Sequence, residues 1–236
     1  MSSRTNSNSE ITGPDDDPQL YAEGEIETLE WIRRNTDDKR RLLNMSMKAC
    51  EALRRADKRI GVQACLEWTA EQNGKPLNLT VACRTIIRHG NLEQLTHALM
   101  VAEEKEGQDR LHQLRKYHFD YVPDCNVSSY NPKPRYHLQT PGELWGAMEK
   151  RISDDHADPH FEKPRVFFPP MTLGLTLELA FLEFRTEDTD KVRQEDYWTC
   201  ILRRDQKRWL EPCLEGWLDV LRQENLLIDS CYRRDL

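Results

Sequence analysis

The side chains most suited to chemistry in this chain are cationic, and they are unevenly spread. Arg54, Arg55, Lys58 and Arg59 lie within six residues, and Lys75, Arg84, Arg88 and His89 follow in a stretch, 60–89, that reads as helix, four-residue turn, helix. Such an outline is that of a helix-turn-helix, with the cations facing phosphates or base edges. Residues 40–118 hold fourteen Lys and Arg against nine Asp and Glu, a balance of +5 that leaves −12 for the remainder. A nucleic acid, if one binds, belongs on this half. Against it, any two consecutive helices share that outline, and Asp57, Glu67 and Glu71 weaken the local field.

Metal and nucleophile chemistry find less to work with. His112, His118, Cys125 and His137 form one scattered set of potential ligands, and Asp154, Asp155, His156, Asp158 and His160 another. Neither shows the tight paired spacing of a zinc site, and Pro159 breaks the helix that would align His156 with His160. Cys125 has His118, His137 and Asp124 within reach in sequence but no glycine-rich turn or helix start to form an oxyanion hole. No Walker loop, dinucleotide glycine pattern, G-x-S-x-G or H-E-x-x-H occurs. The sequence therefore points away from an enzyme, and implies neither cofactor nor metal.

Protein contact is the remaining class. Residues 131–136, NPKPRY, bring Pro132, Pro134 and Tyr136 into one extended, proline-flanked segment of the kind that docks on partner surfaces. Trp145 and Trp198 would add an apolar patch, unless both fill a core instead.

These residues need elements to position them. The stretch around which the chain is organised is 171–185, MTLGLTLELAFLEFR, where Leu173, Leu175, Leu177, Leu179 and Phe181 fall on alternate positions. That period predicts a strand, with a bulge after Phe181 where the parity changes. A helix is the alternative, because Leu175, Glu178, Leu179 and Leu182 also share a helical face and leucine favours helix. Upstream, five short helices are expected: 23–34, about 37–56, 60–72, 79–89 and one beginning at the Asn91/Gln94 capping box. Downstream, Thr140, Pro141 and Glu143 open a helix, 165–168 and 196–203 read as strands, and 209–221 is the clearest amphipathic helix, with Leu210, Leu214, Trp217 and Leu221 on the face that should cover the sheet.

The division that results is a disordered tail over 1–20, a helical domain over 21–118, an irregular linker over 119–139 and an α+β domain over 140–236. The fold class is α+β, mainly helical, with a small carboxyl-terminal unit of antiparallel strands; the alternative is all-α. At 236 residues the chain is long enough to bury an independent core. Its modest apolar fraction of 38% and charged fraction of 32% imply much solvated surface, and it contains no run able to cross a membrane as a helix. The amino-terminal stretch lacks the apolar segment of a secretory leader, and seven cysteines without a C-x-x-C pair suit a reducing compartment, cytoplasmic or nuclear. The reading is an adaptor or regulatory factor that binds a protein partner and can self-associate. RNA or DNA binding through the basic helices is the alternative.

Overall fold

The computed structural model describes residue 14 and residues 17–37, 44–54, 59–104, 111–121, 136–139 and 165–223. It overturns the mainly helical reading. A helix, α1 (Pro18–Asp37), precedes an antiparallel sheet of strands β1 (Ser46–Arg54), β2 (Arg59–Gln72), β3 (Lys75–Arg88), β4 (Asn91–Glu104), β5 (Leu111–Tyr121), β6 (Tyr136–Gln139) and β7 (Arg165–Phe167). Their spatial order is their order in the chain, a plain meander. The helices α2 (Leu173–Glu183), α3 (Glu187–Arg193), α4 (Asp196–Asp205) and α5 (Glu211–Gln223) come next, with a π-helical turn at Gln206–Leu210 joining the last two.

The supposed helix-turn-helix at 60–89 is a β-hairpin. Val62, Ala64, Leu66, Trp68 and Ala70 alternate on one face of β2, opposite Leu77, Leu79, Val81 and Cys83 on β3. Asn73 and Gly74 make the turn with φ of +55° and +74°, and His89 and Gly90 repeat it between β3 and β4 with +53° and +82°. Two consecutive positive φ values match the twist of paired strands, so each Gly ends a strand and not a helix. Residues 119–121 and 136–139, expected as linker, pair as neighbouring strands within the same sheet.

The leucine ladder is the reverse case, because it forms α2. Leu173, Gly174, Leu175, Thr176 and Leu177 are all buried, so the first turns of the helix are covered all round, and exposure begins only towards its end at Leu182. Thr172 caps it, its side chain accepting from the Leu175 N–H at 3.1 Å. Residues 196–203, expected as a second strand, are α4, with Trp198, Ile201 and Asp205 buried at helical spacing. Among the described residues, α1 and α5 stand near where the sequence placed helices and α2 where helix was the alternative; the helix expected from Thr140 lies outside them.

The core lies between the sheet's inner face and the helices. Ile26, Leu29 and Ile32 of α1 and Leu173, Leu177 and Phe181 of α2 pack on the apolar residues of β2 to β4. Phe181 is the centre of an aromatic stack, 5.8 Å from Trp68 and 5.7 Å from Trp198. Tyr21, Ile87, Leu92, Leu95 and Trp209 form a second cluster at one end. Cys65, Ala82, Ala98 and Met100, on the other face of the sheet, are also buried.

One backbone contact has no tolerance. A Cβ on Gly61 would sit 1.9 Å from the Thr85 carbonyl oxygen, whereas one on Gly74 would meet nothing within 4 Å and would only strain a positive φ. Gly61→Ala should therefore cost roughly 3 kcal/mol or more, and Gly74→Ala about 1 kcal/mol. Urea unfolding of the two variants checks the order; equal midpoints would contradict the register of β2 against β3.

Candidate functional site

A polar centre lies inside the molecule at the amino-terminal end of α2. The β3–β4 register sets Cys83 directly opposite His97, both on the inner face. From above, α1 brings Glu25, which occupies a place on the buried stripe between Tyr21 and Leu29. Glu25 Oε1 accepts from the Leu173 backbone N–H at 2.8 Å, and Oε2 lies 3.2 Å from His97 Nε2. Donor atoms of Glu25, Cys83 and His97 all fall within 4.8 Å of one another. This is the one three-residue group of metal-ligand type among the described residues.

A second carboxylate reaches the same helix end. Asp205, at the carboxyl end of α4, accepts from the Thr172 hydroxyl at 2.6 Å and from Arg204 Nε at 2.7 Å. Gly174 admits it, since a Cβ there would lie 3.0 Å from Asp205 Oδ2 and 3.1 Å from Ile201 Cγ2. Arg204 continues to Glu27 at 2.6 Å and to the Gly24 carbonyl at 3.2 Å, tying α4 to α1. Tyr21 donates to the Met171 carbonyl. Thus α1 and α4 hold the start of α2 from two sides, where the exposed amides and the helix dipole favour negative charge.

Burial governs the protonation of this centre. It raises the Asp205 carboxyl to about 6, against the opposing pull of Arg204 and the Thr172 hydrogen bond. Burial, followed by the charges of Glu25 and Asp205, pushes the Tyr21 hydroxyl well above its usual range. The Arg204 guanidinium is raised: burial works to lower it, and the Asp205 and Glu27 carboxylates prevail.

The residues singled out from sequence are dispersed. Lys75 and Arg88 stand at opposite ends of β3, roughly 40 Å apart at the usual rise per residue. Arg84 lies between them on the outer face, and Arg88 pairs with Glu93 at 3.2 Å. Arg54 and Arg59 end β1 and begin β2, while Arg55 and Lys58 lie outside the described residues. His112 and His118 are six residues apart on β5, each beside its own acid, Glu103 at 3.6 Å and Asp120 at 3.8 Å, so the structure does not gather them. Cys125, Pro132, Pro134, Trp145 and residues 154–160 lie outside the described residues. Tyr136 is buried against Tyr121, their rings 5.2 Å apart. Trp198 is buried in the core, donating to Glu178 at 3.0 Å. Both are closed to a partner.

Among the described residues, an apolar surface reaches solvent on α5. Cys213 and Gly216 form its buried side, continuing from Trp209 of the π-helical turn, whereas Leu214, Trp217 and Leu218 are 37%, 38% and 38% exposed. The sequence expected Leu210, Leu214, Trp217 and Leu221 against the sheet; Leu214 and Trp217 face out instead, Leu210 is half-buried, and the Leu221 side chain lies outside the described residues. Glu211, Glu215 and Asp219 border the exposed stripe. An open cleft of about 380 Å³ lies at the β1–β2 edge, lined by Ser46, Glu67, Trp68, Asn78, Thr186 and Asp188 among others.

Among the described residues, no helix is long and apolar enough to cross a membrane. Comparison with protein-family models, with curated proteins and with solved structures finds no match to this chain.

Asp205 gives a signed test. Between pH 3.8 and about 6 the folded chain holds a proton that the unfolded chain has lost, so this group's contribution to stability falls as pH rises. Two units correspond to roughly 3 kcal/mol. Asp205→Asn should gain stability relative to the parent by up to that amount between pH 4 and pH 7. Urea unfolding at both pH values checks it, and a constant difference would contradict the assignment.

Proposed function

We propose that the protein is a non-enzymatic binding module whose outward face of α5 receives an amphipathic helix of another protein. The observation that carries this is the stripe of Leu214, Trp217 and Leu218, set at i, i+3 and i+4, each more than a third exposed. Three large apolar groups on one helix face are what a partner helix buries, and a tryptophan near the middle is the residue type that anchors such contacts. Glu211 and Glu215 border the stripe, and the chain as a whole carries −7. The complementary partner is therefore a helix with Lys or Arg beside its apolar stripe, steered by charge and held by the apolar contact.

The nucleic-acid alternative loses the feature on which it was built. Of its cations, Arg54, Arg59, Lys75, Arg84 and Arg88 stand on strands, while Arg55 and Lys58 lie outside the described residues.

A photo-crosslinking residue at position 217, in the chain expressed in its native cell, tests the proposal. The crosslinked peptide should be amphipathic and basic, and Leu214→Glu with Leu218→Glu should abolish capture with folding retained. Capture unchanged by those substitutions, a crosslink to a second copy of the chain, or a peptide without that pattern would overturn it.

A further inference from the structure

We propose that Glu25, Cys83 and His97 hold a divalent transition metal of the zinc class at the centre of the fold. The three supply one oxygen, one sulfur and one nitrogen, each a known zinc donor, from α1, β3 and β4. Their arrangement is built in: strand register fixes Cys83 beside His97, and the Glu25 carboxylate is held by the Leu173 amide. The 3.2 Å between Glu25 Oε2 and His97 Nε2 is the separation of two ligands sharing one ion. With metal–ligand distances of roughly 2.05 Å it corresponds to an angle of about 103°, near tetrahedral. The Cys83 sulfur, within 4.8 Å of both, needs to approach to about 3.6 Å, a side-chain adjustment.

Charge balance suits an ion: the Glu25 carboxylate and the thiolate that Cys83 becomes on binding carry two negative charges where burial penalises charge, and a divalent cation cancels both. Cys83 gives up its thiol proton to solvent as the ion enters, and a water completes four-coordination. With every donor at most 1% exposed, no substrate reaches the ion. It is structural, acquired during folding, and joins α1 to the sheet.

The test uses the full chain, unfolded in denaturant with chelator and refolded with cobalt(II) or zinc(II) present. One cobalt per chain should bind, with a thiolate-to-cobalt charge-transfer band that zinc removes. X-ray absorption of the zinc form should show one sulfur among nitrogen and oxygen neighbours. Cys83→Ser should lose the band and Cys200→Ser should keep it. Where Cys83→Ser does not fold, Glu25→Gln preserves the acceptor for Leu173 and should weaken cobalt binding at least tenfold. Absence of a bound ion, a shell with no sulfur or with two or more, a band retained in folded Cys83→Ser, or cobalt affinity unchanged in Glu25→Gln would overturn the proposal.

Discussion

The start of α2 is held by two buried carboxylates, and the rest of the molecule is arranged to deliver them. A helix whose first turns are buried on all sides cannot satisfy its first amides with water, so that end must find acceptors inside the protein. Glu25 takes the Leu173 amide, Thr172 takes that of Leu175, and Asp205 takes the Thr172 hydroxyl. Each acceptor comes from a different element. Consequently α1, α2 and α4 cannot shift independently, and because Glu25 also meets His97, the helices are tied to the sheet through the same group.

This constraint explains the placement of glycine and the course of the carboxyl-terminal helices. Gly174 has no side chain because Asp205 and Ile201 of α4 come against it. The π-helical turn begins immediately after Asp205 and rotates the chain beyond it, so that Trp209 reaches Tyr21 at 5.3 Å. Past that turn, α5 buries Cys213 and Gly216 and turns Leu214 and Leu218 outward. The outward stripe is thus a consequence of how the core is locked, and the proposed binding face and the polar centre share one cause.

Much of the sheet was written in the sequence in a form that local helix signals obscured. Val62 to Ala70 and Leu77 to Cys83 alternate strictly, and Asn73-Gly74 between them is a strong hairpin turn. Reading that Gly, and Gly90, as helix stops reversed the identity of three elements. Leu173 to Phe181 differ for another reason: the first turns of α2 are buried on every side and have no polar face, so their leucines are free to fall on alternate positions by composition alone. The polar centre could not be found before the strands were known. His97 and Cys83 are ordinary residues in the sequence, and become a polar pair on an apolar face only through their register, while Glu25 stands out only once the covered side of α1 is fixed.

The central claim, that Glu25 secures the start of α2, is tested most directly by native-state hydrogen exchange at the Leu173 amide. The first amide of a helix ordinarily has no internal acceptor and exchanges rapidly. Here it should exchange only on global unfolding, at the same free energy as the β3 and β4 amides around Cys83 and His97. Exchange at the rate of an unprotected helix end, with the sheet amides still protected, would contradict the account.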